Sequence, residues 1–493
     1  MPKLDLPPNL HRGQNRERGS AHPPLSNSKA NKPMATPFDW KLWPETQARV
    51  DQWAATALQG NSFAARLSAR MTRESSTRFI DWVDHFVVSS RKELPEELKR
   101  LGYARSLQSY AVGSTVYAHD GGMFPRVVLI QKQSSEVAEV AIKVESIAAF
   151  SRAHDLGLEI SGPPLGPYRL ARIDGEGTSL AIVERRGYLG FEPFPGDLAR
   201  EGRMTPHAAR DAVAALELWQ GRRRRFDDDA EGFNETEKTL SRVIELAGSR
   251  DLACHLVFQA EREYWQSRNR AAQVQKARQD RLGLGWANHD HHTFRCSRRF
   301  FPRVMGLFKS LGFFLRERFH AGEQAGWGAQ ILEHPTTGVV IFADLDLAPE
   351  EASADFAHTP LPDLPRPNTV GLWVGLHGES ILEAGMHHLE AQFDFDALRD
   401  ALKSEENIDV MKPFSDFPFL RQAFTAGERW PVAKLRADRL LELGWIDAAR
   451  HSKFLAEGSI GSHLENLQRR DGYKGFNQQS VSAILAATDP RLH

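Results

Sequence analysis

Two short histidine-rich runs carry the residue types that bind transition metals. The first run extends from 288 to 295 and the second from 386 to 395. If each run is a β-strand, side chains two residues apart share a face of the sheet. In the first run, the polar side chains on one face are those of His289, His291, Thr293 and Arg295. In the second run they are those of His388, Glu390, Gln392 and Asp394.

The residues that follow each run predict a repeated unit. After the first run, apolar residues at helical spacing cover 301–311, and strand-like segments cover 314–319, 328–333 and 339–347. After the second run, we predict a helix over 396–403 and a later strand over 459–469. The first unit therefore has the order β-α-β-β-β, and the second begins in the same way.

Paired β-α-β-β-β units that enclose a metal resemble the vicinal oxygen chelate superfamily. In its dioxygenase branches, two histidines on the first strands of two modules and a glutamate on the last strand bind the metal. His291, His388 and Glu465 occur in this order and at these element positions. The resemblance implies an α+β fold in which βαβββ modules form a curved, cup-shaped mixed sheet, with additional helical segments.

A more specific resemblance is to the 2-oxoadipate dioxygenase/decarboxylase family, and it covers about residues 285–477. The matching motifs are His291 to Arg295 with the helix stop Leu311-Gly312, then His387-His388-Leu389 with Asp394-Phe395-Asp396, and finally Glu465, Gln468 and Arg469. The sequence departs from the family where His387 replaces an asparagine and where Glu390-Ala391-Gln392 replaces Thr-Pro-Arg. We interpret the chain as a divergent relative.

This resemblance implies an Fe(II)-dependent dioxygenase/decarboxylase, and the site also suits other divalent metals. Its substrates would be O2 and a 2-oxo acid such as 2-oxoadipate, and its products CO2 and a 2-hydroxy acid one carbon shorter. Two imidazoles and one carboxylate suit Fe(II) and O2 chemistry because they leave open coordination positions. Arg295 is placed to bind a substrate carboxylate through two hydrogen bonds. His289, Thr293 and Gln392 are candidates to support the metal ligands.

Several alternatives remain open at this stage. Glu465 fits an amphipathic helix as well as a strand, so Glu333 and Glu390 are substitutes for the carboxylate ligand. Another enzyme of the superfamily, such as an extradiol dioxygenase or a glyoxalase-like isomerase, would use the same metal, and Glu333 would be the fourth ligand of an isomerase. A non-catalytic binding protein is the third alternative. For His289, His292 and His387 taken singly, a structural role is favoured.

Composition indicates a cytoplasmic globular enzyme. The chain has 493 residues, of which 41% are hydrophobic and 26% charged, enough for two or three domains. Its formal net charge of −1 favours neither nucleic acid nor anionic membranes as partners. Cys254 and Cys296 are its two cysteines, which fits a reducing compartment. The sequence leaves the oligomeric state open.

We divide the chain into five regions. They are a disordered tail (1–37), an N-terminal α+β region (38–200), a helical segment (201–284), a first βαβββ metal module (285–350) and a second metal module (351–493). Within the N-terminal region, 40–101 is predicted to be helical. A degenerate module without a metal is predicted to follow, since Lys143 stands where a histidine would be expected. Within the helical segment, 235–280 is predicted to be one continuous helix.

Overall fold

Two mixed β-sheets form the framework of the molecule. A computed structural model describes residues 40–131, 133–191, 205–321 and 326–477. The predicted disordered tail lies outside these residues. In the described part, the N-terminal sheet has seven strands and the second sheet has nine. No helix in this part is long and apolar enough to cross a membrane.

The N-terminal sheet consists of two consecutive modules. Its strands are β1 (Val83–Ser89), β2 (Tyr103–Arg105), β3 (Thr115–His119), β4 (Arg126–Ile130), β5 (Val137–Lys143), β6 (Tyr168–Ile173) and β7 (Ser179–Arg185). They are arranged in the order β2-β3-β4-β1-β5-β7-β6. β1 pairs with β4 in parallel, β5 pairs with β7 in parallel, and β1 and β5 join the two modules as antiparallel neighbours.

The second sheet repeats this design. Its strands are β8 (His289–Arg295), β9 (Phe314–His320), β10 (Trp327–Glu333), β11 (Val340–Asp346), β12 (His388–Gln392), β13 (Ser415–Phe417), β14 (Leu420–Phe424), β15 (Glu428–Trp430) and β16 (Ser459–Arg469). The strand order is β13-β14-β16-β12-β8-β11-β10-β9, and β15 pairs with β16. β8 and β12 are the antiparallel central pair, and each has its module's last strand as a parallel neighbour.

Helices pack on these sheets and connect them. The longer ones are Pro44–Gln59, Ser62–Arg70, Leu94–Arg100, Ile147–Ala153, Pro206–Gln220, Asp229–Ala247, Arg250–Gln266, Arg270–Asp280, Phe301–Ser310, Thr369–His377, Phe395–Glu406, Lys434–Glu442 and Ala448–Glu457. Short helical turns cover Met71–Ser75, Phe79–Trp82, Pro349–Glu351 and Ser380–Ala384. In β12, Leu389 and Ala391 are fully buried in the main hydrophobic core, which also contains residues of the long helices. The opposite face of this strand is thereby left for the polar side chains.

The predicted fold class is confirmed. β8 to β11 and the helix Phe301–Ser310 match the predicted βαβββ unit to within two residues at each boundary. That helix stops where expected, because Gly312 has a φ of +104°, which a residue with a side chain rarely adopts. Glu465 lies on a strand, β16, so the amphipathic-helix alternative is wrong.

Two element predictions are wrong. Residues 40–101 are not helical throughout, because β1 begins at Val83 and forms the centre of the N-terminal sheet. The single helix predicted over 235–280 is three helices. Gly248 ends the first with a φ of +70°, and the side chains of Ser249 and Asn269 cap the second and third.

Candidate metal centre

Three adjacent strands place one histidine and two glutamates in a row. His291 on β8 is the register partner of Glu390 on β12, and Glu390 is the partner of Glu465 on β16. One ligand atom from each side chain lies within 4.8 Å of the other two, and all three residues are buried. The row is therefore compact enough for all three side chains to bind a single ion.

The two carboxylates of this row lack a positive counter-charge among the described residues. Glu390 is 0% exposed and Glu465 is 2% exposed. In the described part of the chain, no lysine or arginine forms an ion pair with either carboxylate, and Oε2 of Glu390 has no hydrogen-bond partner. Burial raises the pKa of both carboxyl groups. Two buried carboxylates are costly without a counter-charge, and an imidazole with two carboxylates fits a divalent metal ion.

His291 is oriented towards the carboxylates by an aspartate on its other side. Its Nε2 lies 3.3 Å from Oε1 of Glu390, and its Nδ1 lies 3.0 Å from Oδ1 of Asp290. Arg469 donates two hydrogen bonds to Asp290, of 3.0 and 3.1 Å. Burial would raise the pKa of Asp290, but Arg469 and His291 hold it well below its ordinary value. An ionised Asp290 accepts from Nδ1–H, which leaves the Nε2 lone pair free to bind a metal.

A β-bulge places Asp290 in this role. The register between β8 and β12 shifts between His289 and His291, so Asp290 is the extra residue of the bulge. The strict alternation predicted for β8 therefore fails at His289, whose ring packs 5.2 Å from that of His292. Its Nδ1 contacts the carbonyl oxygen of Trp286 at 2.9 Å. His289 consequently does not support His291, and Asp290 was not predicted at all.

His388 lies beside the row rather than in it. Its Nε2 is 2.7 Å from Oε1 of Glu390, whereas its register partner on β8 is Thr293. Thr293 donates a hydrogen bond of 3.0 Å to the same glutamate oxygen. Glu390, predicted as a substitute carboxylate ligand, thus has its Oε1 within 3.3 Å of the Nε2 atoms of both His291 and His388. The Nδ1 of His388 is buried and has no hydrogen-bond partner among the described residues.

The other predicted residues are divided between the site and its surroundings. Gln392 donates a hydrogen bond of 3.1 Å to Asp290, and so supports His291 indirectly. Glu333 forms ion pairs with Lys474 at 2.9 Å and Arg316 at 3.3 Å, and it does not belong to the three-residue group. Its place as a fourth ligand is therefore not supported by the geometry.

The cavity next to the row has one polar wall and otherwise mainly aromatic walls. Arg295 and Asp344 line it, with the Arg295 guanidinium 5.5 Å from the ring centroid of Trp373. Burial raises the pKa of Asp344 to about 7, although the charge of Arg295 opposes this. The ring of Phe476 packs 5.0 Å from that of His291. Arg295 is therefore in the cavity, as predicted, on the same side of β8 as His291.

One further supporting residue was not predicted. Gln422 on β14 donates a hydrogen bond of 2.8 Å to Oε1 of Glu465. β14 is the neighbour of β16, so this amide orients the carboxylate from the strand beyond it. No pattern in the sequence predicts this role, because Gln422 is a single glutamine on a short strand.

The N-terminal sheet contains a counterpart of this site that lacks the two glutamates at the matching register positions. His85 on β1 contacts Asp84 at 2.7 Å, and Arg185 at the end of β7 donates to Asp84 at 2.7 and 2.9 Å. A register shift skips Asp84 just as the bulge skips Asp290. The register partner of His85 is Ala141, however, and the partner of Ala141 is Ala181. Two alanines therefore stand where the second sheet has two glutamates.

Comparisons with known proteins show only distant similarity. No family model matches the sequence, and no curated protein matches it at a significant level. Among solved structures, the chain is similar to a 4-hydroxymandelate synthase variant from Streptomyces coelicolor, with 14% identity and a TM-score of 0.23. This match covers 84% of this chain and 97% of the synthase.

Two shorter matches concern smaller parts of the chain. A methylmalonyl-CoA epimerase from Mycobacterium tuberculosis has 13% identity and a TM-score of 0.21, over 37% of this chain and 88% of the epimerase. A glyoxalase I from Zea mays has 17% identity and a TM-score of 0.17, over 21% of this chain and 42% of the glyoxalase. The chain thus spans less than half the length of that glyoxalase.

Proposed function

We propose that this protein is a metal-dependent enzyme of the vicinal oxygen chelate type, and that it uses Fe(II) to oxidise and decarboxylate a 2-oxo acid. The observation that carries the proposal is the buried row of His291, Glu390 and Glu465, whose ligand atoms lie within 4.8 Å of one another. One imidazole and two carboxylates form a harder donor set than the two-histidine site expected from the sequence. Such a set suits Fe(II), and it suits Mn(II) as well.

The protein residues then have separate tasks. A bound Fe(II) would supply O2 activation and a chelating site for the carboxylate and keto oxygens of the substrate. Asp290 fixes the tautomer of His291, and Gln422 fixes the orientation of Glu465. Arg295 supplies a guanidinium for a second substrate carboxylate, which favours a dicarboxylic 2-oxo acid such as 2-oxoadipate. The aromatic walls exclude water from the reacting groups.

The direct test is oxygen uptake with CO2 release by Fe(II)-reconstituted protein, across 2-oxo acids with and without a second carboxylate. We expect coupled uptake and release, with 2-oxoadipate or another dicarboxylic member used best. Glu465→Gln is expected to lose the activity, and the substitution of an exposed residue, Lys238→Gln, to retain it. Iron that is bound without any substrate-dependent uptake of oxygen would contradict the proposal.

A second candidate is a glyoxalase-like isomerase or epimerase, and Glu390 is the observation that favours it. A buried carboxylate with a raised pKa is suited to accept a proton from carbon, and Thr293 and His388 both contact Glu390 at Oε1. Exchange of the substrate α-proton with solvent deuterium, in the absence of oxygen, would distinguish this reaction. A decarboxylating dioxygenase gives no such exchange.

We further propose that the enzyme acts in the cytoplasm on small molecules, without nucleic-acid or membrane partners. Cys254 and Cys296 are both buried free thiols, which a reducing compartment preserves. With a net charge of −1, the chain has no excess of positive charge that would attract an anionic polymer such as a nucleic acid.

A further inference from the structure

Asp344 lines the cavity beside the metal row, and its carboxyl group has no hydrogen-bond partner among the described residues. It lies on β11, it is 4% exposed, and its Oδ1 is enclosed by the protein. A buried polar group without a partner costs free energy, which a bound molecule recovers when it forms the missing hydrogen bond. The carboxyl group of Asp344 is therefore available to bind a molecule that enters the cavity.

Asp344 lies next to Arg295 and away from the metal row. The two residues are register partners on β11 and β8. Arg295 is four residues beyond His291 along β8, which corresponds to about 14 Å in a strand. Thr293 and Phe342 are register partners between these two positions, and both line the cavity. The cavity therefore has a metal end and a charged end, and a substrate with a polar group at each of its own ends can span it.

The net charge of the far end depends on the proton of Asp344. Burial raises the pKa of Asp344 to about 7, although the charge of Arg295 opposes this rise. With the proton in place, the pair carries one positive charge, and both side chains can donate hydrogen bonds to a carboxylate. Without the proton, the negative charge of Asp344 offsets that of Arg295 and repels a carboxylate. The protonated state is thus the one that suits a carboxylate on the substrate.

The other titratable side chains around Asp344 in the described part of the chain are neutral between pH 6 and pH 8. They are Cys296 directly after β8, His377 on the helix Thr369–His377, and His387 and His388 in the cavity wall. Burial raises the pKa of the cysteine and lowers that of the three histidines, in His377 to about 3. On β10, the register partner of Asp344 is Ala329, which does not titrate. Asp344 itself therefore changes the charge of this end in that range.

We propose that Asp344 is a specificity-determining residue, which in its protonated form donates a hydrogen bond to the distal substrate carboxylate that Arg295 binds. This inference rests on the proposed function, because it names a residue that makes the enzyme prefer dicarboxylic to monocarboxylic 2-oxo acids. It also predicts that this preference is stronger below neutral pH than above it.

The test measures binding rather than turnover. Anaerobic titration calorimetry gives the dissociation constants of 2-oxoadipate and of 2-oxohexanoate, a monocarboxylic acid of the same chain length. The full-length protein is loaded with Fe(II) and measured at pH 6 and pH 8. Both acids present the same 2-oxo acid group to the metal end, so the ratio of their constants reports on the far end. Both carboxyl groups of 2-oxoadipate are ionised at both pH values.

At pH 6, we expect the wild-type protein to bind 2-oxoadipate at least about tenfold more tightly than 2-oxohexanoate. At pH 8, this preference should fall about tenfold, because a group with a pKa of about 7 then holds its proton in only about a tenth of the molecules. Asp344→Asn should keep the preference at both pH values, since an amide donates without titrating. Asp344→Leu should reduce it about fivefold or more at pH 6. The matched control Asp400→Asn, at an exposed position, should behave as wild type.

Two results would overturn the role of Asp344 and leave the proposed function intact. One is a wild-type preference that does not change with pH, and the other is an equal change with pH in Asp344→Asn. Asp344→Asn decides the question by itself if Asp344→Leu does not fold. A preference that depends on Asp344 as expected, without any uptake of oxygen during turnover, would support this role and contradict the decarboxylation. Failure of both acids to bind would overturn both proposals.

Discussion

At the scale of single residues, the register of three strands decides which side chains reach a metal. Glu390 is the register partner of both His291 and Glu465, whereas the partner of His388 on β8 is Thr293 and its Nε2 contacts Glu390. We therefore expect Glu390→Gln to weaken Fe(II) binding by more than about 100-fold. His388→Ala should weaken it by only about tenfold, the usual effect of losing a group that supports a ligand.

Anaerobic competition of each variant with a chromogenic chelator measures these affinities. Circular dichroism serves as the control for folding. An equal loss in Glu390→Gln and His388→Ala would mean that the histidine moves into the row when the metal binds, and would contradict the ligand assignment.

Arg295 gives a prediction about the substrate. A lysine at this position keeps the charge but cannot donate two parallel hydrogen bonds to one carboxylate. We expect Arg295→Lys to raise the KM for a dicarboxylic 2-oxo acid about tenfold or more, and to change the KM for a monocarboxylic one much less. Steady-state oxygen uptake measures both constants. Equal changes for the two substrates would remove Arg295 from carboxylate recognition.

Asp344 gives a prediction about pH. Its pKa is about 7 in the folded protein, against an ordinary value of 3.8. The folded state therefore holds the proton more tightly than the unfolded state, and the stability that depends on it is lost as the pH rises from about 4 through 7. We expect the unfolding free energy of Asp344→Asn, relative to wild type, to increase over this window by at most about 4 kcal/mol. Urea unfolding at pH 4 and pH 8 checks this, and a difference that stays constant with pH would contradict it.

At the scale of elements, Asn269 explains why the helix predicted over 235–280 is interrupted before the second sheet. Asn269 accepts a hydrogen bond from the backbone N–H of Ala272 and donates one of 2.7 Å to Ser462 on β16. It therefore starts the helix Arg270–Asp280 and ties that helix to the strand that carries Glu465. We expect Asn269→Ala to lower the unfolding free energy by about 2 kcal/mol, because both a cap and a buried partner are lost.

Thr205 provides the comparison, since it caps an exposed helix start through Ala208 and, among the residues that the structure describes, has no buried hydrogen-bond partner. Thr205→Ala should cost about 1 kcal/mol or less. Urea unfolding measures both variants. A loss in Asn269→Ala no larger than that in Thr205→Ala would show that the contact with Ser462 contributes nothing to stability.

The sequence predicts β8 to β11 well because their alternating patterns and turns are local signals. It misses β1, since the short apolar run Phe86-Val87-Val88 suits a helix or a strand equally. It cannot choose between His388 and Glu390 either, because residues two apart share a face and only the partner strand selects one of them. The sequence does not predict the bulge at Asp290 for the same reason, because a bulge is defined by how two strands pair.

At the scale of the whole molecule, the two sheets are built alike, yet only the second has glutamates at the two register positions beside its histidine. His85 keeps its aspartate and arginine support, while Ala141 and Ala181 occupy the positions of the two glutamates. The ring of Phe191 packs against that of His85, with the ring centroids 4.8 Å apart. We expect one metal ion per chain, with His85→Ala leaving metal content and affinity unchanged within about twofold, because direct ligands and their supports typically contribute tenfold or more. Elemental analysis of the purified variant checks this, and a halved metal content in His85→Ala would contradict it.

The central claim is that His291, Glu390 and Glu465 form one metal site, and anaerobic Fe(II) titration of the full-length protein tests it most directly. The wild-type protein should bind one Fe(II) per chain. The double variant Glu390→Gln/Glu465→Gln should bind none, and should unfold at the same temperature as the metal-free wild type or above it, since two buried carboxyl groups have been replaced by neutral amides. Stoichiometric Fe(II) binding by this folded double variant would place the metal elsewhere and contradict the account.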